Sequence, residues 1–254
     1  MKLIFGKPNA KLIELQRITG RKLFTFSMLA GHTCPFANEC KAHVEIDENG
    51  RKYLVDGPNS DYRCFSASQE VLYPPIYNSR LHNAELLKIA ALGYNKAANE
   101  IVDDIPKKAG IIRIHVSGDF ATLAYFDAWR EAAKRRADIL FYAYTKSIPF
   151  WVKRISDIPD NLILTASYGG KADKLIAPNG LRHCKVFEYD YNAIQAGYEN
   201  IDHNDTFACL PENRYINFAL LVHGPQKAKT KWAKAIRDNR AGYSREKAFA
   251  ALAN

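Results

Sequence analysis

The sequence predicts an α/β protein with a parallel, barrel-like β/α core, a partial or irregular TIM-type barrel, and a cysteine loop after the first strand. Three observations lead to this class. Short apolar segments alternate with amphipathic segments of helical period from residue 111 onward. The apolar segments centred near residues 114, 142 and 164 are each separated by one helical segment, the length of a parallel crossover. Small and polar residues follow each segment, where ligands bind in parallel β/α proteins.

The first half of the chain contains fewer regular segments. Residues 23–29 are apolar and aromatic enough to form the first strand. Residues 30–66 are predicted to be mostly loop, with turn signals at Asn49-Gly50 and Asp56-Gly57-Pro58-Asn59. Ser79 is a suitable N-cap, and apolar residues at helical spacing behind it predict one long helix that ends near Asp103.

The second half follows a regular rhythm. We expect helices over residues 122–136, 147–156 and 191–198, the second of them capped by Ser147 with Pro149 in its first turn. The strands that we expect between and around these helices cover residues 111–116, 139–145, 162–167, 185–188 and 215–222. Because parallel strands end at one edge of the sheet, the segments that follow residues 29, 116, 144 and 166 should share one rim.

Composition and charge suggest the division into domains. The 254 residues suit one β/α domain over residues 1–224 followed by a basic, helical tail over residues 225–254. The chain carries a formal net charge of +9, and the tail holds eight basic residues against two acidic ones. Such a tail favours contact with nucleic acid or another anionic ligand, although a solvated surface helix gives the same pattern.

The chain has no apolar stretch that would make it a secreted or membrane protein. Its first eight residues, Met1 to Pro8, show no apolar core of a signal peptide. No apolar run approaches the ~18 residues that a membrane-spanning helix needs. We therefore expect a cytoplasmic protein without membrane contact, in which its five cysteines stay reduced and serve metal binding or catalysis more often than disulfides.

Three cysteines lie in polar, loop-rich sequence, which is an unusual place for core cysteines. Cys34 and Cys40 follow the first strand, and Cys64 follows a polar stretch. Thiolates in such loops hold iron–sulfur clusters or soft metal ions, so these three are predicted metal ligands. Cys209, or Cys184 as the alternative, could supply a fourth ligand, and His32 or His43 could complete a mixed zinc site. Buried free cysteines remain the alternative, above all for Cys184 and Cys209.

Polar residues at the predicted strand ends complete the candidate site. On the strand over residues 111–116, a period of two places Arg113, His115 and Ser117 on one face. These residues either line a site or form a structural pair and a satisfied core histidine. The candidates for catalysis are Asp119, His115 and Lys146, and those for cofactor binding are Ser117, Gly118, Gly169 and Gly170.

The assembled motifs resemble the phage gene-product-88 family. The resemblance covers roughly residues 24–224 and rests on the segments Cys34-Pro35-x4-Cys40, Arg63-Cys64-Phe65, His115 to Phe120, Phe141 to Ser147, Cys209, Ile216 to Phe218 and His223-Gly224. It implies a phage-encoded protein that acts in the cytoplasm of the host cell. It implies little about mechanism, because activities in this family are largely unassigned.

A second resemblance concerns architecture. A cysteine loop directly after the first strand of a β/α barrel is similar to the radical S-adenosylmethionine enzymes, in which three cysteines hold a [4Fe–4S] cluster whose open iron binds the cosubstrate. Cys34, Cys40 and Cys64 would be those three. The compact C-x3-C-x2-C motif of those enzymes is absent, and a fourth ligand from Cys209 or Cys184 would fill the open iron.

Three functional hypotheses follow. The first is a [4Fe–4S] cluster-binding protein with a redox or enzymatic role, whose ligands are Cys34, Cys40, Cys64 and one later cysteine. The second is a zinc protein that binds nucleic acid through its basic tail. The third is an enzyme of the radical S-adenosylmethionine type, with S-adenosylmethionine as cofactor and only three cysteine ligands.

Overall fold

The structure, a computed structural model, describes residues 1–238 of the chain. Its main feature in that range is a six-stranded sheet with the strand order β1-β4-β5-β6-β7-β8, all strands parallel. A separate antiparallel hairpin pairs β2 with β3. The eight strands are β1 Leu23–Phe26, β2 Ala42–Ile46, β3 Lys52–Asp56, β4 Ile111–Ile114, β5 Leu140–Thr145, β6 Leu162–Ser167, β7 His183–Phe187 and β8 Phe218–Leu221.

The helices of residues 1–238 connect and cover these strands. They are α1 Ala10–Thr19, α2 Phe65–Leu72, α3 Pro74–Ala84, α4 Leu86–Leu92, α5 Tyr94–Asp104, α6 Leu123–Arg135, α7 Ile148–Lys153, α8 Asp190–Gln195, α9 Thr206–Cys209 and α10 Lys231–Asp238. In this part of the chain, none of them is long and apolar enough to cross a membrane.

The two faces of the sheet carry different helices, because successive residues of a strand point to opposite sides. Ile112 and Ile114 of β4 belong to a large core cluster that also contains Trp129 of α6. Ile111 of the same strand packs in a second cluster with Leu12 of α1. The helices α4 to α7 therefore cover one face of the sheet, and α1 with α9 covers the other.

The predicted parallel α/β sheet is confirmed, but a closed barrel is not. The strands follow one another in chain order across the sheet, as they do in a β/α barrel. In the described residues the order ends at β1 on one edge and at β8 on the other, with no pairing between the two. The site is therefore positioned by one row of parallel strands, whose carboxyl ends lie at a common rim.

Two regions differ from the sequence-based expectation. The single long helix predicted from Ser79 is instead three helices, α3, α4 and α5, and Ser79 lies inside α3. Gly93, with φ near 150°, separates α4 from α5 in a backbone conformation that side chains disfavour. The segment predicted as loop over residues 30–66 contains the β2–β3 hairpin, whose turn includes the expected Asn49-Gly50 pair.

The first part of the predicted tail packs against the domain. Trp232 of α10 is buried, and its ring centroid lies 5.1 Å from that of Tyr62. Lys231 on the same helix pairs with Glu188 at 2.7 Å. Residues 225–238 of the predicted tail therefore pack against the domain. Residues 239–254 of that tail lie outside the described range. Contact of the tail with nucleic acid or another anionic ligand stays a prediction.

Candidate functional site

A cavity of about 950 Å³ opens at the carboxyl ends of the parallel strands. Its wall includes Ser117, Gly118 and Asp119 after β4, Thr145 and Lys146 at the end of β5, Ser167 at the end of β6, and residues 222–224 after β8. This is the rim at which the sequence predicted that the polar segments meet. A volume of this size holds a small organic molecule.

Cys34, Cys40 and Cys64 all line this cavity. Cys34 lies in the turns after β1, Cys40 lies two residues before β2, and Cys64 is the N-cap residue of α2. All five cysteines of the chain lie in the described range and are free thiols. The fold thus brings three thiols from separate segments to one wall.

The thiols are also close enough to influence one another. Burial, and then the charges of Asp119, Cys64 and Cys40, raises the pKa of Cys34 well above the ordinary value of a thiol. Burial, and then the charge of Cys40, raises the pKa of Cys64 to about 11. Both shifts have a neighbouring thiol among their causes, in keeping with the position of Cys34, Cys40, Cys64 and Asp119 in the wall of one cavity.

The loop that carries Cys34 and Cys40 is held mainly through its backbone. The Lys41 ammonium donates to the carbonyl oxygens of Gly31 at 2.6 Å and Cys34 at 2.9 Å. The N–H groups of Asn38 and Glu39 both donate to the carbonyl oxygen of Gly169. Backbone groups held at both ends give the loop a defined shape without using its thiols.

The Gly169-Gly170 pair supports this loop and lies outside the lining of the cavity. The N–H groups of both glycines donate to the carboxylate of Asp173. A Cβ atom on Gly169 would lie 2.7 Å from Glu39 Oε2, and the residue has φ near 92°. Close packing against the cysteine loop therefore explains these glycines, and their contact with a cofactor stays a prediction.

A buried glutamate that the sequence analysis missed joins three parts of the site. Glu70 of α2 is fully buried, and its Oε1 accepts hydrogen bonds from Ala30 N at 2.9 Å and Arg80 Nη1 at 2.9 Å. Ser117 Oγ donates to the same oxygen at 3.2 Å. Glu70 thus fixes the start of the cysteine loop and the end of β4 relative to the helix that begins after Cys64. Only the fold reveals this, because nothing in the sequence near Glu70 marks it.

Asp119 and Lys146 line the cavity as predicted, and both are already engaged by protein groups. Asp119 Oδ1 accepts from Thr145 Oγ1 at 2.6 Å, and Oδ2 accepts from Lys146 N at 2.8 Å. Burial raises the pKa of Asp119 above its usual range, while these hydrogen bonds act in the opposite direction. Lys146 Nζ donates to Ser167 Oγ at 2.8 Å and to the carbonyl oxygen of Tyr168 at 2.5 Å. Both side chains shape the wall between β4, β5 and β6.

The predicted polar row of Arg113, His115 and Ser117 lines the cavity, although His115 departs from strand geometry. The strand ends at Ile114, and His115 adopts φ near 65°, which breaks the alternation of side chains. Its Nε2 lies 2.9 Å from the hydroxyl of Tyr125, and its ring meets that of Phe120 edge to face. Burial lowers its pKa to about 3. His115 also lines the cavity, and its buried Nδ1 has no hydrogen-bond partner among the described residues, so its catalytic role stays a prediction.

The two remaining cysteines lie outside the lining of the cavity. Cys184 of β7 and Cys209 of α9 are fully buried in the apolar cluster that contains Leu12 and Phe218. Burial is the main cause that raises the pKa of Cys184 to about 12. The structure therefore does not bring Cys209 or Cys184 to the wall where the other three thiols lie.

A cluster of charged and hydroxyl side chains surrounds Asp205, further from the carboxyl ends of the strands than the cysteines. Arg113 Nη1 contacts Asp205 Oδ2 at 2.5 Å, and Lys11 Nζ contacts Asp205 Oδ1 at 2.6 Å. The hydroxyl groups of Tyr142 and Tyr144 donate to the same carboxylate. Arg113 was expected to need a carboxylate partner, but the sequence did not indicate Asp205, Lys11 or the two tyrosines.

Within residues 1–238, no three histidine, cysteine, aspartate or glutamate side chains are placed to bind a single metal ion. His32 and His43, the candidates for a mixed zinc site, contact each other edge to face, and His32 Nε2 lies 2.9 Å from the carbonyl oxygen of Val44. A [4Fe–4S] cluster requires a different arrangement, because each of its thiolates binds a different iron atom.

Comparison with known proteins gives a family but no activity. The family model described as Gene product 88 matches residues 3–245. The Gene 88 protein of Mycobacterium phage L5 is 31% identical over 108 residues, which are 40% of this chain and 45% of that protein. The Gene 88 protein of Mycobacterium phage D29 is 27% identical over 126 residues, 42% of this chain and 52% of that protein.

The chain thus spans about half the length of these curated relatives. No solved structure matches the chain. The family model extends well beyond the cysteine segments and includes α10, which packs against the domain. On this match over nearly the whole chain, and as its motifs predicted, the protein belongs to the gene product 88 family of phage proteins.

Proposed function

We propose that this protein binds a [4Fe–4S] cluster through Cys34, Cys40 and Cys64, and that the cluster serves chemistry on a molecule in the adjoining cavity. The observation that carries the proposal is the convergence of three free thiols from separate segments on one cavity wall. Thiolate sulfur is the ligand that iron–sulfur clusters use, so the donor set suits this group. When bound, the cluster would supply electron transfer or Lewis-acid chemistry.

The placement of the other two cysteines supports a three-ligand site. Cys184 and Cys209 are buried in the apolar core and lie outside the cavity lining. In this proposal the fourth iron has no cysteine ligand and remains available to a small molecule. This departs from the sequence-based expectation that Cys209 or Cys184 closes the cluster.

Anaerobic purification tests the proposal. We expect iron and acid-labile sulfide near a 4:4 ratio, the composition that defines the cluster, together with a broad visible absorption band. C34S, C40S and C64S should each lose the iron, whereas C184A and C209A, as matched controls, should retain it. A colourless wild-type protein without iron would overturn the proposal. One zinc per chain without sulfide would favour the zinc alternative.

A second candidate, an enzyme of the radical S-adenosylmethionine type, receives support from the same wall. Ser117 and Gly118 line the cavity together with the three thiols, at the end of a parallel strand. Packing also requires Gly118, because a Cβ there would lie 2.6 Å from Thr33 Oγ1 where the turn after β4 meets the cysteine loop. If a cluster were held by the three thiols, it would leave an iron for a methionyl group, and Ser117 would offer a contact for hydroxyl groups.

The test for this candidate is spectroscopic. Addition of S-adenosylmethionine to the reduced, cluster-containing protein should change its electron paramagnetic resonance spectrum, because direct binding changes the ligands of one iron. S-adenosylhomocysteine and methionine are the comparison ligands. An unchanged spectrum at saturating S-adenosylmethionine would exclude this enzyme type and leave the cluster proposal intact.

A further inference from the structure

The deep end of the cavity has a charged floor, formed by Lys11, Arg113 and Tyr144 with Asp205 behind them. The first three line the cavity, and Asp205 is fully buried. Arg113 lies four residues before Ser117 in the chain, so the floor is deeper along the strands than the rim where the cysteines lie. The two ends of the cavity thus have different chemistry.

The floor presents two cations that share one carboxylate. Lys11 and Arg113 bind opposite oxygens of Asp205, at 2.6 Å and 2.5 Å. The hydroxyls of Tyr142 and Tyr144 also donate to it, at 2.9 Å and 3.0 Å, so both oxygens accept two contacts. Lys11 and Arg113 set two positive charges against Asp205, and a second buried carboxylate, Asp202, lies near enough to Asp205 and Lys11 to offset part of that positive charge.

The neighbouring helix end adds to this field. Asn9 and Ala10, the N-cap and the first residue of α1, line the cavity beside Lys11. The amino end of a helix carries partial positive charge. Two acidic side chains line the same cavity: Asp119 lies near the cysteines, and Glu14, in the next turn of α1, opposes the cations of the floor. Arg113 Nε is buried with no hydrogen-bond partner among the described residues, so this guanidinium is not fully satisfied by protein groups.

We propose that the charged floor binds the carboxylate or phosphate group of a small organic molecule, whose other end then faces the cysteine wall. The identity of this molecule as a substrate rests on the proposed function. Its binding at the floor does not, because Lys11, Arg113 and Tyr144 are held by Asp205 and need no cluster. The inference thus gives the substrate class as an organic anion small enough for about 950 Å³.

Isothermal titration of the full chain with inorganic phosphate, and separately with succinate, tests the inference at constant ionic strength. We expect saturable binding of at least one of the two, and the tighter of them identifies the kind of anionic group. K11Q should weaken binding by about tenfold or more, because it removes a hydrogen bond to a charged group. E14Q should strengthen binding severalfold, because it removes the opposing charge.

K11Q disturbs the contacts of Asp205 and could change the fold. E14Q tests the inference without this effect, because Glu14 is not among the residues that contact Asp205. K107Q, which removes one exposed charge in the loop before β4, should leave the affinity unchanged. The inference fails if neither anion saturates, if E14Q does not tighten binding, or if K107Q weakens it as much as K11Q. Titrations of cluster-free and cluster-containing protein separate the two proposals: a colourless protein that binds the anion overturns only the proposed function.

Discussion

At the scale of single residues, burial decides what the polar side chains of this protein can do. Glu70, Asp205 and Lys146 are all buried, and each has several hydrogen-bond partners. A buried charge without partners costs several kcal/mol, which explains why these groups occur in networks. The networks of Glu70 and Lys146 lie around the cysteine wall and that of Asp205 at the floor, so the charged residues mainly give the cavity its shape.

His115 makes the stability of the protein dependent on pH. Burial lowers its pKa from 6.5 to about 3, so the folded state remains neutral where the unfolded state takes up a proton. Its contribution to stability is present above pH 6.5 and is lost as the pH falls from there toward 3. His223, whose pKa burial lowers to about 4, acts in the same direction.

We expect H115N to reduce the slope of unfolding free energy against pH between about pH 6 and pH 4. The loss should approach one proton, or about 1.4 kcal/mol per pH unit. Asparagine tolerates the positive φ of this position. Urea unfolding at several pH values measures the slope, and H82N, at an exposed histidine of α3, is the control. Parallel curves for H115N and wild type would contradict the prediction.

At the scale of elements, the sequence predicted the regular crossover region well and the cysteine region poorly. The helix expected over residues 122–136 is α6, Leu123–Arg135, and Thr122 caps it by accepting from Tyr125 N. Its apolar residues face a buried sheet, which produces a clear helical period. The short α9, by contrast, begins at Thr206 after Asp205 in a left-handed conformation, and its placement depends on contacts distant in sequence.

The candidate site was likewise predicted from the sequence only in part. The loop with Cys34 and Cys40 and the polar ends of β4 and β5 were predicted to share a rim, because the rule for parallel strands needs only strand boundaries. Cys64 was predicted as a ligand, but no strand boundary placed it at this rim. The packing of Gly169-Gly170 against the cysteine loop was not predictable, since it depends on where that loop returns to the sheet. Lys11 was also missed, because α1 precedes the regular part of the chain and gave no recognised helical signal.

We expect the last described helix, α10, to stabilise the cysteine wall. Trp232 packs on Tyr62, which lines the cavity two residues before Cys64. W232A should lower the free energy of unfolding by about 3 kcal/mol or more, because it leaves a large cavity. It should also speed the reaction of the cavity cysteines with a thiol reagent in cluster-free protein. K234A, on the exposed face of the same helix, is the control; equal effects of the two variants would argue against this role.

At the scale of the whole molecule, the net charge of +9 and the fold together define how nucleic-acid binding should be tested. Deletion of residues 225–254 would remove α10 with the charges, so a loss of binding would not distinguish charge from folding. Gln226 adds to this difficulty, because its side chain bonds to both the N–H and the carbonyl oxygen of Arg63, next to Cys64. Neutralising exposed charges keeps these contacts intact.

The triple variant K227Q/K229Q/R237Q removes three exposed charges of the basic segment while Trp232 and Gln226 remain. If the tail contacts nucleic acid, as its composition predicts, the slope of log affinity against log salt should decrease by about two to three, since each phosphate contact contributes about 0.9. K96Q/K107Q/K108Q removes the same charge elsewhere and should leave the slope nearly unchanged. Fluorescence anisotropy with labelled single-stranded and double-stranded DNA gives both slopes. Equal slopes for the two triple variants would show that net charge, and not the tail, governs binding. If the wild-type protein does not bind DNA even at low salt, the prediction of a nucleic-acid partner is wrong.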